Sequence, residues 1–333
     1  MSAETSSPSV IVVGGAGYIG SHVCKAFAQQ GILPITFDNL STGHNHAVKW
    51  GPLIEVDLCD RATIFEEIEK HSHVPLVVHL ASSIEVGFGE KHPDSFYMNN
   101  VVGALNLLDA MKNSSINKII FSSTCATYGE ISNLPINEKE VQSPYSVYGK
   151  TKLAIEHMLQ SYHKAFDLNY VTLRYFNAAG ADESGEIGEE HDPETHLIPL
   201  ALASAAGLRQ RMKIFGNDYD TPNGTCIRDY IHVNDIAQAH LLSWDKLQNG
   251  LTKAELNIGT GKGYSNLEIL KTVEKVTGLP MPYDIEPRRD GDLSQLYADT
   301  SRAQSVLGFE AKYSDLDFIV RTAWRFFKSK HQI

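Results

Sequence analysis

The chain has 333 residues, 42% of them hydrophobic and 21% charged, with a formal net charge of −11. That length suits one large α/β unit with a smaller lobe, and the acidic balance argues against nonspecific binding to nucleic acid or to an anionic membrane surface. No run of about eighteen apolar residues occurs, the polar opening MSAETSSPS lacks the basic and apolar regions of a leader, and the expected compartment is the cytoplasm.

The first half alternates between strand and helix. VIVVGG (10–15) is an apolar run ending in glycine, and a helical pattern follows from Ile19 to Gln30. Further strands are expected at 32–39, 53–58, 74–81, 118–124 and 170–177, with helices at 61–71, 95–112 and 145–166 between them. Continuous apolar strands separated by helices predict a doubly wound parallel sheet buried on both faces, with ligands bound outside the carboxyl ends of the strands. After Asn177 the rhythm changes. The segments 181–194, 215–225 and 287–292 are polar and turn-rich, with helices expected at 197–206, 234–246, 266–277 and 314–329.

Four cysteines, Cys24, Cys59, Cys125 and Cys226, stand far apart in sequence and none forms a C-x-x-C pair, so small buried thiols in a reducing compartment are expected. His44/His46 and His71/His73 are two apart, without the H-E-x-x-H spacing that puts two imidazoles on one helix face, and no metal site is expected.

GGAGYIG (14–20) closes the first strand and opens the first helix. Gly14, Gly17 and Gly20 permit a tight turn and the approach of a pyrophosphate to N–H groups at the helix N-terminus. Asp38 ends the second strand, where a carboxylate accepts ribose hydroxyls and repels a 2′-phosphate. No lysine or arginine lies between Asp38 and Ala47, so the expected cofactor is NAD rather than NADP.

In SPYSVYGKTK (143–152), Ser143 is expected to cap a helix with Pro144 at its first position. Tyr148 and Lys152 then share one helix face. A neighbouring ammonium, together with a nicotinamidium when NAD⁺ is bound, favours the phenolate, which makes a general base for a sugar hydroxyl whose carbon gives up a hydride.

These segments together resemble the extended short-chain dehydrogenase/reductase superfamily, and most closely its UDP-glucose 4-epimerases. The resemblance runs over the whole chain after the first nine residues, through GGAGYIGSH (14–22), DNLSTG (38–43), FSSTCATYG (121–129), SPYSVYGKTK (143–152), LRYFNAAGA (173–181), IFGNDYDTPNGTCIRDYIHV (214–233) and PRRDGDL (287–293). It implies a Rossmann-type NAD-binding domain at 9–177, interleaved with later elements near 227–260, and a UDP-sugar lobe over most of 178–333. It implies Tyr148, Lys152 and Thr124 as the catalytic set, Thr124 bonding the sugar O4.

For NAD, the resemblance implies contacts from Gly14, Gly17, Tyr18, Ile19, Gly20, Asp38, Asn39, Leu40, Ser41, Thr42, Gly43, Asp57, Leu58, Leu80, Ala81, Ser82, Asn99 and Phe176, together with Thr124, Tyr148 and Lys152. For the UDP-sugar it implies Asn177, His196, Leu197, Phe215, Arg228, Tyr230, Arg289, Asp292 and Leu296. It further implies a homodimer pairing helices near 99–112 and 149–166.

The sequence departs from the family pattern at several places. Relatives that expel water from C6 carry Asp-Glu after the threonine, and decarboxylating relatives carry Glu there; this chain has Cys125 and Ala126. A 4-keto sugar in such a site has no carboxylate to assist elimination. Cys125 has no adjacent histidine, which suits a packed residue rather than a nucleophile. Ile84 stands where many relatives have a cofactor-holding lysine, and His196 where asparagine is common. Leu296, at the position that sets room for the C2 substituent, is intermediate in size, so UDP-N-acetylglucosamine or UDP-xylose is the alternative substrate. A dehydratase, a decarboxylase or a non-catalytic NAD sensor fits the residues less well, since Thr124, Tyr148 and Lys152 are all present and no acid follows Thr124.

Overall fold

In the computed structural model, which describes residues 8–129, 131, 133–289 and 292–333, the first apolar run forms β1 (Ser9–Val13), buried at all five positions. A strand that offers neither face to water belongs in a sheet covered on both sides. Helix α1 (Tyr18–Gln29), β2 (Leu33–Asp38), β3 (Leu53–Glu55), α2 (Arg61–Lys70) and β4 (Val77–His79) follow. The next helical stretch is divided into α3 (Val86–Gly89), α4 (Pro93–Phe96), a π-helical segment Tyr97–Val102 and α5 (Gly103–Lys112). Strand β5 (Lys118–Thr124) runs into a 3-10 turn at Cys125–Thr127, and α6 (Val147–Phe166) and β6 (Asn169–Tyr175) come next. The remaining elements are β7 (Asn177–Ala179), α7 (Leu197–Ala205), β8 (Met212–Phe215), β9 (Ile227–His232), α8 (Val233–Gln248), β10 (Lys253–Ile258), β11 (Gly263–Ser265), α9 (Asn266–Thr277), β12 (Tyr283–Glu286), β13 (Gln295–Leu296), α10 (Ser301–Leu307) and α11 (Leu316–His331).

The chain divides into two compact units. The first holds the described residues up to Gly129, Val141–Arg174 and Ala237–Leu256; the second holds those between 130 and 140, Tyr175–Ile236 and Asn257–Ile333. The segment 130–140 lies inside the range 9–177 read from sequence as one domain, yet packs with the second unit. Ile136 bridges Ala298, and Asn257 Nδ2 donates to the Ile136 carbonyl at 2.9 Å.

The first unit carries a seven-stranded sheet in the order β10-β6-β5-β4-β1-β2-β3. The pairs β3–β2, β2–β1, β1–β4 and β4–β5 are all parallel. Strand order reverses between β1 and β4, so loops at the carboxyl ends of these strands diverge and leave room for a ligand. Phe37, Val77, Leu107 and Phe121 are wholly buried in the core that the helices complete, each contributing roughly 1.5–3 kcal/mol by leaving water.

The second unit pairs β11, β9 and β13, with β7 also on β9, and β8 with β12. Its core draws Leu202 of α7, Leu270 of α9 and Ile319 of α11 onto Ile214 and Tyr230. A capping box of Ser265 and Glu268 starts α9. Among the described residues no helix is long and apolar enough to cross a membrane.

One helix start differs from the expectation. The cap of α6 is Ser146, whose hydroxyl accepts the Gly149 N–H at 3.1 Å. Ser143 instead precedes Pro144, which biases it toward extended backbone, and its N–H donates to the Tyr128 carbonyl at 3.1 Å.

Candidate functional site

In the first unit, the turn after β1 is shaped by contact. A Cβ on Gly20 would stand 2.0 Å from the Gly14 carbonyl oxygen, so only glycine lets α1 start this tightly against the turn. A Cβ on Gly17 would meet nothing nearer than 3.5 Å, and no side chain caps α1. The N-terminal N–H groups of a twelve-residue helix are thereby left for an outside acceptor.

Asp38 stands at the end of β2 with its carboxylate fixed from two sides. Oδ2 accepts the Ala16 N–H at 3.0 Å and Oδ1 the Leu40 N–H at 2.9 Å. Burial pushes its pKa up against those two bonds. Beside it, Asn39 donates to Asp57 at 3.0 Å and accepts the Ser41 N–H at 3.1 Å. Leu40 holds φ 55, which orients the DNLSTG loop. Leu80 and Ala81 follow β4, both N–H groups bonding the Val13 carbonyl. Asn99, in the π-helical segment, donates to Ser83 Oγ at 3.0 Å. Phe176, expected with these residues, falls in the second unit, its N–H on the Ile258 carbonyl at 3.1 Å. A nucleotide with a pyrophosphate and a ribose diol fits the uncapped helix end and the anchored carboxylate.

Thr124, Tyr148 and Lys152 are brought together. Thr124 ends β5, its Oγ1 accepting the Ala126 N–H at 3.1 Å. Helix α6 passes close above that turn because residue 149 is glycine, where a Cβ would come 2.6 Å from the Ala126 carbonyl oxygen. Tyr148 is thereby set beside Thr124. One turn later the Lys152 ammonium donates to the Ser122 carbonyl at 2.9 Å, 5.8 Å from the centre of the Tyr148 ring.

Burial raises the Tyr148 phenol above its usual value, and the neighbouring Thr124 hydroxyl lowers it by less. Burial brings Lys152 down to about 7, opposed by the Glu156 charge. Desolvation is the largest influence on Tyr148 and favours its neutral form.

Several residues of this arrangement escaped sequence reasoning. Glu156 continues the Tyr148–Lys152 face by another turn and is 1% exposed. It accepts from Ser123 at 2.5 Å and from the Arg174 guanidinium at 2.7 and 3.1 Å. Arg174 also donates to Tyr128 at 2.9 Å. Asn100 ties the Ser83 backbone to Thr151 of α6, at 3.1 and 3.0 Å. The i, i+4, i+8 spacing of Tyr148, Lys152 and Glu156 was the available signal for the first; nothing local marks the second.

In the second unit, Arg289 bonds Asp292 at 2.9 Å and lies over the Phe215 ring at 4.7 Å, so these three residues form one group. Asp290 and Gly291, within the quoted PRRDGDL stretch, lie outside the described residues. Arg228 donates to the Leu293 carbonyl at 2.8 Å and sits opposite Leu296 in the β9–β13 register. Asn177 stands opposite Tyr230 in the β7–β9 register. His196 precedes Leu197, the first residue of α7, and joins Glu189, Glu194 and His191 instead of the arginines.

Residues 10–259 match the NAD dependent epimerase/dehydratase family. The UDP-glucose 4-epimerase of Rhizobium leguminosarum bv. trifolii is 48% identical over 97% of this chain and 98% of its own. The crystal structure of UDP-glucose 4-epimerase from Brucella ovis in complex with NAD superposes with a TM-score of 0.94, at 50% identity over 96% of this chain and 98% of that one. The enzyme from Bifidobacterium longum in complex with NAD+ and UDP gives 0.91 at 35% identity, over 97% and 99%.

Proposed function

The chain belongs to the NAD dependent epimerase/dehydratase family, among its UDP-glucose 4-epimerases, and on that premise we propose that it interconverts UDP-glucose and UDP-galactose with Thr124, Tyr148 and Lys152 at the reacting carbon. The observation that carries the residue assignment is the placing of Tyr148 beside Thr124, with Lys152 one turn away on the Ser122 carbonyl and Cys125 and Ala126 where an eliminating enzyme needs an acid.

Tyr148 exchanges a proton with the sugar's 4-hydroxyl, and Thr124 holds that oxygen. Lys152, when protonated, favours the phenolate, and Glu156 favours that protonated state. NAD bound at the Gly14–Gly20 turn and Asp38 supplies reversible hydride acceptance. With no carboxylate at 125 or 126, a 4-keto sugar has one assisted exit, reduction back to the alcohol, and return to the other face inverts C4. Arg228 and Arg289 suit the diphosphate as planar donors, Asp292 the uridine ribose, and Leu296 bounds the sugar pocket. The first unit is thus the NAD-binding domain and the second the UDP-sugar domain.

A homodimer in the cytoplasm completes the reading. It is supported by four cysteines that form no disulfide and by Met98 and Leu105, 54% and 39% exposed on the helical stretch that would pair.

The test is proton NMR of the purified protein with UDP-galactose and no added NAD. The UDP-glucose anomeric signal is expected to grow to an equilibrium mixture; a spectrum unchanged both without and with added NAD overturns the proposal. Repeating the measurement with UDP-N-acetylgalactosamine reads out what Leu296 admits.

A further inference from the structure

The acidic stretch before α7 places four metal-type donors around one point. His196 Nδ1 lies 2.8 Å from Glu189 Oε1 and 3.0 Å from Glu194 Oε1, while His191 Nδ1 lies 3.4 Å from Glu189 Oε1 and 3.6 Å from Glu194 Oε2. Both imidazoles turn the same nitrogen to the same pair of carboxylates, and all the donor atoms fall within 4.8 Å of one another.

Hydrogen bonding accounts for only part of this convergence. Each Nδ1 carries one hydrogen and faces two acceptors. An ion held tetrahedrally at about 2.0–2.1 Å from each donor sets the donors about 3.3–3.4 Å apart. The two histidine nitrogens lie 2.8 and 3.4 Å from Glu189 Oε1 and 3.0 and 3.6 Å from one or the other oxygen of Glu194, close to that edge.

The supports of the loop are independent of the cluster. Gly188, just before it, lies so close to α11 that a Cβ would meet the Phe326 ring at 2.4 Å. Helix α7 begins immediately after it at Leu197. Glu194 Oε1 also accepts the N–H groups of Thr195 and His196, at 2.7 and 2.8 Å, which fixes the carboxylate from outside. The neighbouring Glu190 is drawn off by Lys330 at 3.2 Å.

We infer that Glu189, His191, Glu194 and His196 form a closed four-ligand site for a zinc-like divalent cation that ties the loop before α7. Two imidazoles and two carboxylates are borderline donors that suit zinc, and four protein ligands without an open position make a structural site. Two carboxylates balance the charge of one divalent ion, to which both imidazoles bind in their neutral form. His196 spends Nδ1 on the ion and keeps Nε2–H as a donor. His-x-x-Glu-x-His, at 191, 194 and 196, is the sequence signal.

The test uses untagged full-length protein carrying its NAD, stripped with a chelator, re-equilibrated with Zn²⁺ and dialysed, with metal counted by mass spectrometry. One zinc per chain is expected, with a higher melting temperature and, after Co²⁺ loading, the visible bands of a four-coordinate site. Glu189→Gln and His191→Asn, checked by circular dichroism and NAD content, should each lose the bound equivalent and weaken Zn²⁺ affinity at least tenfold. Less than stoichiometric zinc in the wild type, or equal zinc in both variants, overturns the site and leaves an ion-pair cluster only. Should the variants not fold, the wild-type cobalt spectrum decides, and absence of four-coordinate bands overturns it.

Discussion

Glu156 and Arg174 form a buried two-pronged ion pair, Nη2 to Oε2 at 2.7 Å and Nε to Oε1 at 3.1 Å, with side chains 1% and 4% exposed. Such a pair is weak evidence of net stabilisation, but removing one partner strands a charge away from water. Arg174→Met is therefore expected to cost about 3–5 kcal/mol, read as a lower midpoint in thermal unfolding. Glu156 also faces Lys152 electrostatically, so the variant should lose activity beyond its loss of fold. A midpoint unchanged from wild type would remove the pair from the account of what holds α6 against β5 and β6.

Tyr148→Phe keeps the ring and removes the hydroxyl that meets Thr124. If that hydroxyl moves the proton, turnover should fall about 10²–10⁴-fold while NAD and UDP-sugar binding, followed by fluorescence and calorimetry, stays within a few-fold. Near-full activity would sink the proton-transfer role and leave the fold assignment untouched.

The placing of the turn at 14–20, of Asp38 and of the Tyr148–Lys152 pair was legible because each depends on a few consecutive residues. The alternation of apolar runs revealed the doubly wound sheet for the same reason, since burial of both strand faces is written residue by residue. Glu156 and Asn100 were harder to read, because their roles come from Arg174 and Thr151, partners that only the fold brings near. Ser143 lost the cap to Ser146 because the proline after it constrains its backbone.

Lys152 makes a prediction with a definite sign. Burial brings its folded pKa to about 7, against an ordinary value of 10.5. Between those values the unfolded chain binds more protons, so this group makes stability rise with pH across that window, and its penalty is full below about 7. Lys152→Met removes the buried charge at similar volume. The difference between wild-type and variant melting temperatures should therefore move in favour of wild type as pH rises from 7 to 9, other groups cancelling. A constant difference would mean that Lys152 keeps its ordinary pKa in the folded protein.

Gly149 tests how closely α6 must approach the reacting turn. An alanine Cβ there meets the backbone oxygen of Ala126 at 2.6 Å and the Pro144 side chain at 2.9 Å. Backbone cannot rotate aside as a side chain can, so the first turn of α6 must shift outward. Ala is the better helix former by about 1 kcal/mol, which offsets part of the strain, and the helix should survive. The shift carries Tyr148 away from Thr124, and misplacement of a reacting group by about 1 Å costs on the order of 10²-fold in rate. Gly149→Ala is thus expected to lower kcat by one to two orders of magnitude with little change in KM, since Arg228 and Arg289 belong to the other unit. Loss in KM alone would place the substitution's effect on binding and refute the positioning argument.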